Sequence, residues 1–221
     1  MGGAAPEPGE FLMSVTVTAS ARPTTIDDVP SVARVLSRAT HGDPLFQWLF
    51  PETRTRLARI RRFHAMAAGF GYVPYGDVRV TEAAESTAGE SVVRAAALWA
   101  PAESNPEGPL VSPRLWPHWG PLLGRGRVAP FVRVFAEWKL AAPQEPHLYL
   151  AALGVDPVVA GTGIGGALLS QGLDRADAEG MPVFTQTMND KALGFYERFG
   201  FEVVREVDHL EGGITHFLQR G

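Results

Sequence analysis

Cysteine is absent from the 221 residues of this chain. That absence excludes a disulfide framework, a thiolate zinc site and an acyl-cysteine intermediate together. No metal site is expected, and any group transfer must use another nucleophile or pass directly between two substrates. Long apolar runs are also missing: nothing approaches the roughly 20 residues of a membrane-spanning helix. Dense Lys/Arg stretches are absent and the formal net charge is −4, so neither nucleic acid nor an anionic membrane is expected as a partner. The one basic cluster, Arg54 to Arg62, reads as the solvated face of a helix. Met1–Glu10 has no basic start followed by an apolar stretch, and Pro6 stands where a myristoylation motif needs Ser or Thr. A cytoplasmic location and a disordered tail over residues 1–13 are the expectations.

What is present suits one folded unit. With 45% hydrophobic and 20% charged residues the chain can bury a core, and a single domain is expected over residues 14–221. Alternation at Val15–Thr18 predicts a first strand, and Asp27–Asp28 precede a helix with Val32, Val35, Leu36 and Ala39 on one stripe. Pro44–Pro51 is an aromatic segment between prolines, either a short helix or a turn. Arg54–Phe70 is helical by period, its stripe being Leu57, Ile60, Phe63, His64 and Ala67. Strands near Val78–Thr81 and Val92–Ala100 flank a turn at Ser86–Glu90. Pro101–Gly126, rich in Pro and Gly but carrying Trp116 and Trp119, predicts a long ordered loop, and Phe131–Leu140 a helix.

The last third alternates regularly: strand Leu148–Val155, helix Gly163–Glu179, strand Val183–Thr187, helix Lys191–Phe199, then strands Phe201–Val207 and Ile214–Leu218. A hairpin followed by βα, βα and ββ implies an α/β fold, a central mixed sheet of six to seven mostly antiparallel strands flanked by helices.

Between Val155 and the following helix lies a glycine-rich turn. Pro157 ends the strand, and Gly161, Gly163, Gly165 and Gly166 open the helix. Glycines let the backbone curl so that successive N–H groups converge, and a helix N-terminus adds about half a positive charge. Such a turn suits a phosphate or pyrophosphate, or else serves packing alone. Gly161, Gly163 and Gly166 formally satisfy G-x-G-x-x-G, but a dinucleotide fold fits poorly. The glycines sit too near the C-terminus for a doubly wound sheet, Asp156–Ala160 intervene after the strand, and the next strand ends in Gln186–Thr187 without an acid for a ribose.

Val155-x-Pro157, a short turn and a Gly-x-Gly helix start resemble the acetyl-CoA signature of the GNAT superfamily of N-acetyltransferases. Gly194-Phe-Tyr-Glu-Arg-Phe-Gly-Phe-Glu-Val resembles its late helix–strand motif. The likeness runs from about Glu145 to the C-terminus, with the acetyl-CoA-binding core implied over about 145–200. Within the superfamily it is nearest the puromycin N-acetyltransferase branch, through Glu145-Pro146, Leu150-Ala151, Gly154-Val155 and Phe195–Arg198. The resemblance implies direct transfer of an acetyl group from acetyl-CoA to the amine of a small molecule such as an antibiotic, amino sugar or amino acid. It implies that Gly161, Thr162, Gly163, Ile164, Gly165 and Gly166 hold the pyrophosphate, and that Gly154 and Val155 pair with the pantetheine arm as an added strand. A main-chain N–H near Leu153–Val155 would steady the oxyanion, Phe195 would lie along the cofactor, and Tyr196 would give the departing thiolate its proton. Packing of Tyr196 on Phe199 and Phe201 is the other reading.

Three positions depart from the pattern. Ala160 stands where Gln or Arg is usual at the phosphate turn, which forgoes roughly 1.5–3 kcal/mol of charge-assisted hydrogen bonding. Gln186 replaces a common Glu. Ala192 replaces an Asn that contacts the cofactor, for which Asn189 is a substitute. The general base is open between Glu137 and His147, with His41 and Asp43 near the expected acceptor loop, or none is needed. Trp48, Trp116, Trp119 and Trp138 either wall the acceptor pocket or fill the core. A homodimer is allowed. The departures also admit a non-catalytic CoA-binding module, or a different acyl donor or acceptor.

Overall fold

The computed structural model describes residues 21–74, 77–84, 91–100, 115–209 and 213–221. The tail over residues 1–13, the Val15–Thr18 strand and the Ser86–Glu90 turn lie outside them. The chain opens with a short strand, β1 (Ala21–Pro23), and three helices, α1 (Val29–Ala39), α2 (Pro44–Leu49) and α3 (Thr53–Met66). Starts are set by side chains that accept orphan amides: Asp43 takes the Leu45 N–H at 2.9 Å with Pro44 in the first turn. The α3 stripe holds as expected at Ile60, Phe63, His64 and Ala67, but Leu57 is exposed. Beyond Met66 the helix loosens into a π-helical turn, Ala67–Tyr72.

A hairpin follows, β2 (Asp77–Ala84) and β3 (Ser91–Ala100). Where a long loop was expected, Trp116–Leu123 forms a helix, α4, and the helix expected over Phe131–Leu140 spans Arg125–Ala141 as α5. Residues 101–114 lie outside the described set. The prolines that suggested a loop sit where a helix tolerates them: one in the first turn of α4, and Pro121 near its end. The break falls at Gly124, in the left-handed region at φ 83°. Then come β4 (Leu148–Val155), α6 (Ile164–Glu179), β5 (Val183–Thr187), α7 (Asp190–Glu197), β6 (Glu202–His209) and β7 (Gly213–Arg220). The expected bounds of β4 and β5 match.

The seven strands form one sheet in the order β1-β2-β3-β4-β5-β7-β6. Only β4 and β5 run parallel; every other pair is antiparallel. One sheet face packs on α1 to α5 through Val32, Leu36, Phe63, Phe131 and Phe135. The other packs on α6 and α7 through Trp99, Leu150, Leu168, Leu169 and Tyr196. This is the three-layer arrangement that the sequence predicts.

Two glycines fix how closely the layers approach. A Cβ at Gly154 would meet Leu36 at 2.8 Å and Ala39 at 2.9 Å, so α1 lies directly on β4. A Cβ at Gly172 would overlap the Trp99 indole, so α6 seats on β3 by the same device. Trp99 is fully buried and has no room to move. Gly172→Ala is therefore expected to lower unfolding free energy by about 1–3 kcal/mol despite its better helix propensity. Urea denaturation checks this, with the transition midpoint falling at constant slope.

Candidate active site

The site begins with an irregularity in β4. Across from β3, Leu98 pairs with Ala152 and Trp99 with Leu150, so Ala151 is an extra residue, a β-bulge. A bulge bends its strand. β4 pairs with β5 at Leu148, Tyr149 and Leu150 and no further, whereas β5 stays on β7 as far as Thr187. The sheet thus splits after Leu150. Between the diverging strands lies a cavity of about 130 Å³, walled by Ala151–Leu153 on one side and Thr185–Met188 on the other.

Helices close it. Tyr196 of α7 and Asp43, at the start of α2, both line the cavity. Burial pushes the Tyr196 phenol up to about 12; the neighbouring Thr185 hydroxyl works against this, and the Asp43 charge adds to it. Thr185 spends its one proton on the Leu150 carbonyl at 2.8 Å, which leaves its oxygen as an acceptor beside the phenol. Burial pushes the Asp43 carboxyl up to about 6, against the bond from the Leu45 N–H. That bond occupies Oδ1, leaving Oδ2.

Several lining residues carry chemistry that the sequence reading did not single out. His64 was placed only on a helical stripe. Burial pushes its imidazole down to about 3, so it is neutral. Thr40 gives its hydroxyl proton to the Leu36 carbonyl at 2.7 Å, so His64 Nε2, 3.1 Å away, is the donor of that pair. Tyr149 accepts a hydrogen bond from Gln186 at 2.5 Å, which gives the glutamine a structural partner in the place of the usual acid.

Of the tryptophans, Trp138 lines the cavity. Its indole donates to Thr215 at 3.1 Å, Thr215 Oγ1 lies 2.9 Å from His209 Nε2, and His209 Nδ1 faces Glu137 at 2.6 Å.

That chain also locates Glu137: it anchors His209 and does not line the cavity. His147 is buried before β4, donating to the Glu145 carbonyl at 2.8 Å against Phe184, and is likewise outside the cavity. His41 lies two residues from Asp43 but outside the lining. Trp119 sits in the core with Phe131 at 4.8 Å, Trp48 packs on the core under Arg127, and Trp116 is 66% exposed. None of the three lines the cavity. Asn189 caps α7 through the Lys191 N–H at 3.2 Å, and Phe195 packs edge-on against Tyr196.

At the far end of β4 is the glycine turn. Gly161 and Gly163 have φ of 80° and 85° with open space where a Cβ would stand. Ala160, Gly161 and Thr162 are exposed. Among the described residues the N–H groups of Gly161, Gly163, Ile164, Gly165 and Gly166 have no acceptor, and the first amide of α6 to bond back is Ala167, to Gly163 at 3.0 Å. Gly165 and Gly166 have a different reason to be glycine. A Cβ there would press on Val155 at 2.8 Å and Phe199 at 3.1 Å. Asp156 ties down the base of the turn: fully buried, it accepts from Val158 N–H and from Arg34, Arg38 and Arg94 at 3.0–3.4 Å. Burial alone would raise its carboxyl, but the Val158 amide and the Arg38 and Arg34 charges outweigh it and hold the group ionised.

A split mixed sheet with an amide-lined turn at one end and a phenol in the opening is an acyltransferase architecture. The sequence model of the acetyltransferase (GNAT) family matches residues 91–201, half of the chain, and the chain belongs to that family. Its fold is similar to that of a solved protein described as histone acetyltransferase HPA2 and related acetyltransferase from Corynebacterium glutamicum, with TM-score 0.66 and 22% identity over 91% of this chain and 94% of that one. It is also similar to the C-terminal condensation domain of Ebony, with TM-score 0.64 and 12% identity over 91% and 97%. A mosquito arylalkylamine N-acetyltransferase like 5b gives TM-score 0.54 and 14% identity over 91% and 98%. No described helix is long and apolar enough to cross a membrane, and no described cluster of His, Asp or Glu is arranged to hold a metal.

The two buried acid–base groups act on stability in opposite senses. His64 has its pKa lowered from 6.5 to about 3, so its contribution is fully present above pH 6.5 and is lost as pH falls toward 3. Asp43 has its pKa raised from 3.8 to about 6, so its penalty is absent below pH 3.8 and fully present above pH 6. His64→Gln is expected to flatten the loss of stability on acidification, by up to about 1.4 kcal/mol per pH unit. Asp43→Asn, which keeps the helix cap, is expected to stabilise by about 3 kcal/mol at pH 7 and not at pH 4. Chemical denaturation across pH 4–7.5 reads both, and parallel pH profiles for all three proteins would contradict the assignments.

Proposed function

We propose that this chain is an acetyl-CoA-dependent N-acetyltransferase that passes the acetyl group directly to the amine of a small molecule. The observation that carries the reading is that one strand, β4, connects two things: unpaired amides at the glycine turn and, beside its split from β5, a cavity holding Tyr196 and Asp43. The turn fits a diphosphate, since its open left-handed glycines point donors at solvent without a side chain in the way. The amides of Gly161, Gly163, Ile164, Gly165 and Gly166 would hold it, while the β5-facing edge of β4 around Leu153–Val155 would take the pantetheine arm.

When bound, acetyl-CoA supplies a thioester carbon for the amine to attack and a sulfur that needs a proton on leaving. The chain's own groups divide the proton work. Asp43, with its proton affinity raised to near neutrality, takes a proton from the nitrogen as the N–C bond forms. Tyr196 keeps its proton across the neutral range and gives it to sulfur as the C–S bond breaks. Solvent then returns the Asp43 proton to the phenolate, and no net proton is left on the protein. A direct route agrees with the absence of cysteine. Glu137 and His147, both outside the cavity, are not needed in this scheme, and Ala160 leaves the phosphate grip to the main chain. A cytoplasmic enzyme acting on a small amine remains our reading; the puromycin-type branch rests on sequence likeness alone.

Steady-state kinetics with acetyl-CoA, following thiol release, tests the roles. Tyr196→Phe is expected to lower kcat by about 10²–10⁴ with cofactor binding retained. Asp43→Asn should abolish the acid limb near pH 6 in kcat/KM. Gly163→Ala, forced into the left-handed region, should weaken CoA by roughly tenfold, equivalent to 1–2 kcal/mol of backbone strain. Full activity in Tyr196→Phe, with CoA still bound, would point instead to a non-catalytic CoA-binding module.

A further inference from the structure

We infer that the cavity selects small primary amines bearing one aromatic ring on a short alkyl chain and no carboxylate, with Asp43 receiving the nitrogen and Phe135 and Trp138 receiving the ring. This rests on the acyl-transfer reading above and narrows its acceptor. The first constraint is size. At about 130 Å³ the space is comparable to a cavity of about 150 Å³ that admits benzene, so a single ring fits. The second is charge. Asp43 is the one acidic side chain lining the cavity among the described residues, and no Lys or Arg lines it.

These facts sort the amines. A carboxylate on the acceptor would enter with no cation to meet it and would face Asp43, so amino acids are disfavoured. A diamine would bury a second ammonium with no partner, at a cost of several kcal/mol. A ring instead meets π-faces: Phe135 and Trp138 lie 4.7 Å apart at 37°, a ready third partner for stacking. Trp138 is held in place by its bond to Thr215, so this wall is formed in advance. The same aromatic surfaces attract an ammonium as it approaches Asp43.

The experiment compares kcat/KM for 2-phenylethylamine, L-phenylalanine, putrescine and puromycin with the whole protein and acetyl-CoA, with CoA binding measured separately by calorimetry. The expected result is a preference for 2-phenylethylamine of at least about 100-fold over each of the others. Phe135→Leu and Trp138→Leu, each checked for folding by its thermal transition, should raise KM for 2-phenylethylamine by about tenfold and leave KM for acetyl-CoA unchanged. Equal or better use of L-phenylalanine, putrescine or puromycin overturns the selectivity while leaving acyl transfer intact. Turnover of none of the four, with CoA bound, overturns the acyl-transfer reading and this inference with it.

Discussion

One extra residue in a strand governs the molecule. Without the bulge at Ala151, β4 would continue alongside β5 and every backbone group between them would be paired. With it, the strands part after Leu150, and the interior of the sheet acquires an opening lined by main chain. β4 and β5 are the parallel pair of the sheet and are joined through α6, so no tight turn holds their ends together. The opening then needs closure on both faces. α2, α3 and α5 supply it from one side, and α7 from the other. The chemistry follows from what those helices bring: a half-buried carboxyl, a neutral imidazole and a phenol.

Removal from water is also what these groups cost. A carboxyl partly withdrawn from water is a liability to folding and an asset to proton transfer, and Asp43 is both. The structure accepts the strain because the residue doubles as the cap of α2, so its Oδ1 has a fixed partner. Stability and chemistry pull against each other at this one position. Asp156 presents the opposite case, a buried carboxylate kept ionised by three guanidiniums and an amide. Its task is geometric: it fixes the turn whose amides face solvent.

The regular parts of this architecture were readable from residue pattern. The bounds of β4 followed from an apolar run closed by Pro157, those of β5 from the strand–helix alternation of the last third, and the glycine turn from its spacing. What escaped reading has identifiable causes. A bulge leaves no mark in an apolar run such as Leu148–Leu153, where both faces are covered and no alternation exists to be broken. α4 and the first turns of α5 hid behind the prolines Pro117, Pro121 and Pro130. His64 and Trp138 fell on apolar stripes, where only the tertiary fold distinguishes a core residue from a cavity wall. Glu137 showed the reverse: a chemically suggestive residue that the fold uses to anchor His209. Asp43 was placed near the acceptor by sequence, but its raised proton affinity comes from packing that no local window contains.

The contact of Gly154 with Leu36 and Ala39 has a mechanical meaning. No strand side chain stands between β4 and the Leu36 and Ala39 side chains, so α1 and the Thr40–Asp43 loop that extends it are held close against the strand. The two reaction partners are thereby referenced to a single ruler: whatever shifts β4 carries the carboxyl along with it. Divergence in substrate preference among relatives built this way would accumulate on α5, whose side chains reach the opening across ordinary packing, and would spare the helix that cannot be repositioned without rebuilding the sheet.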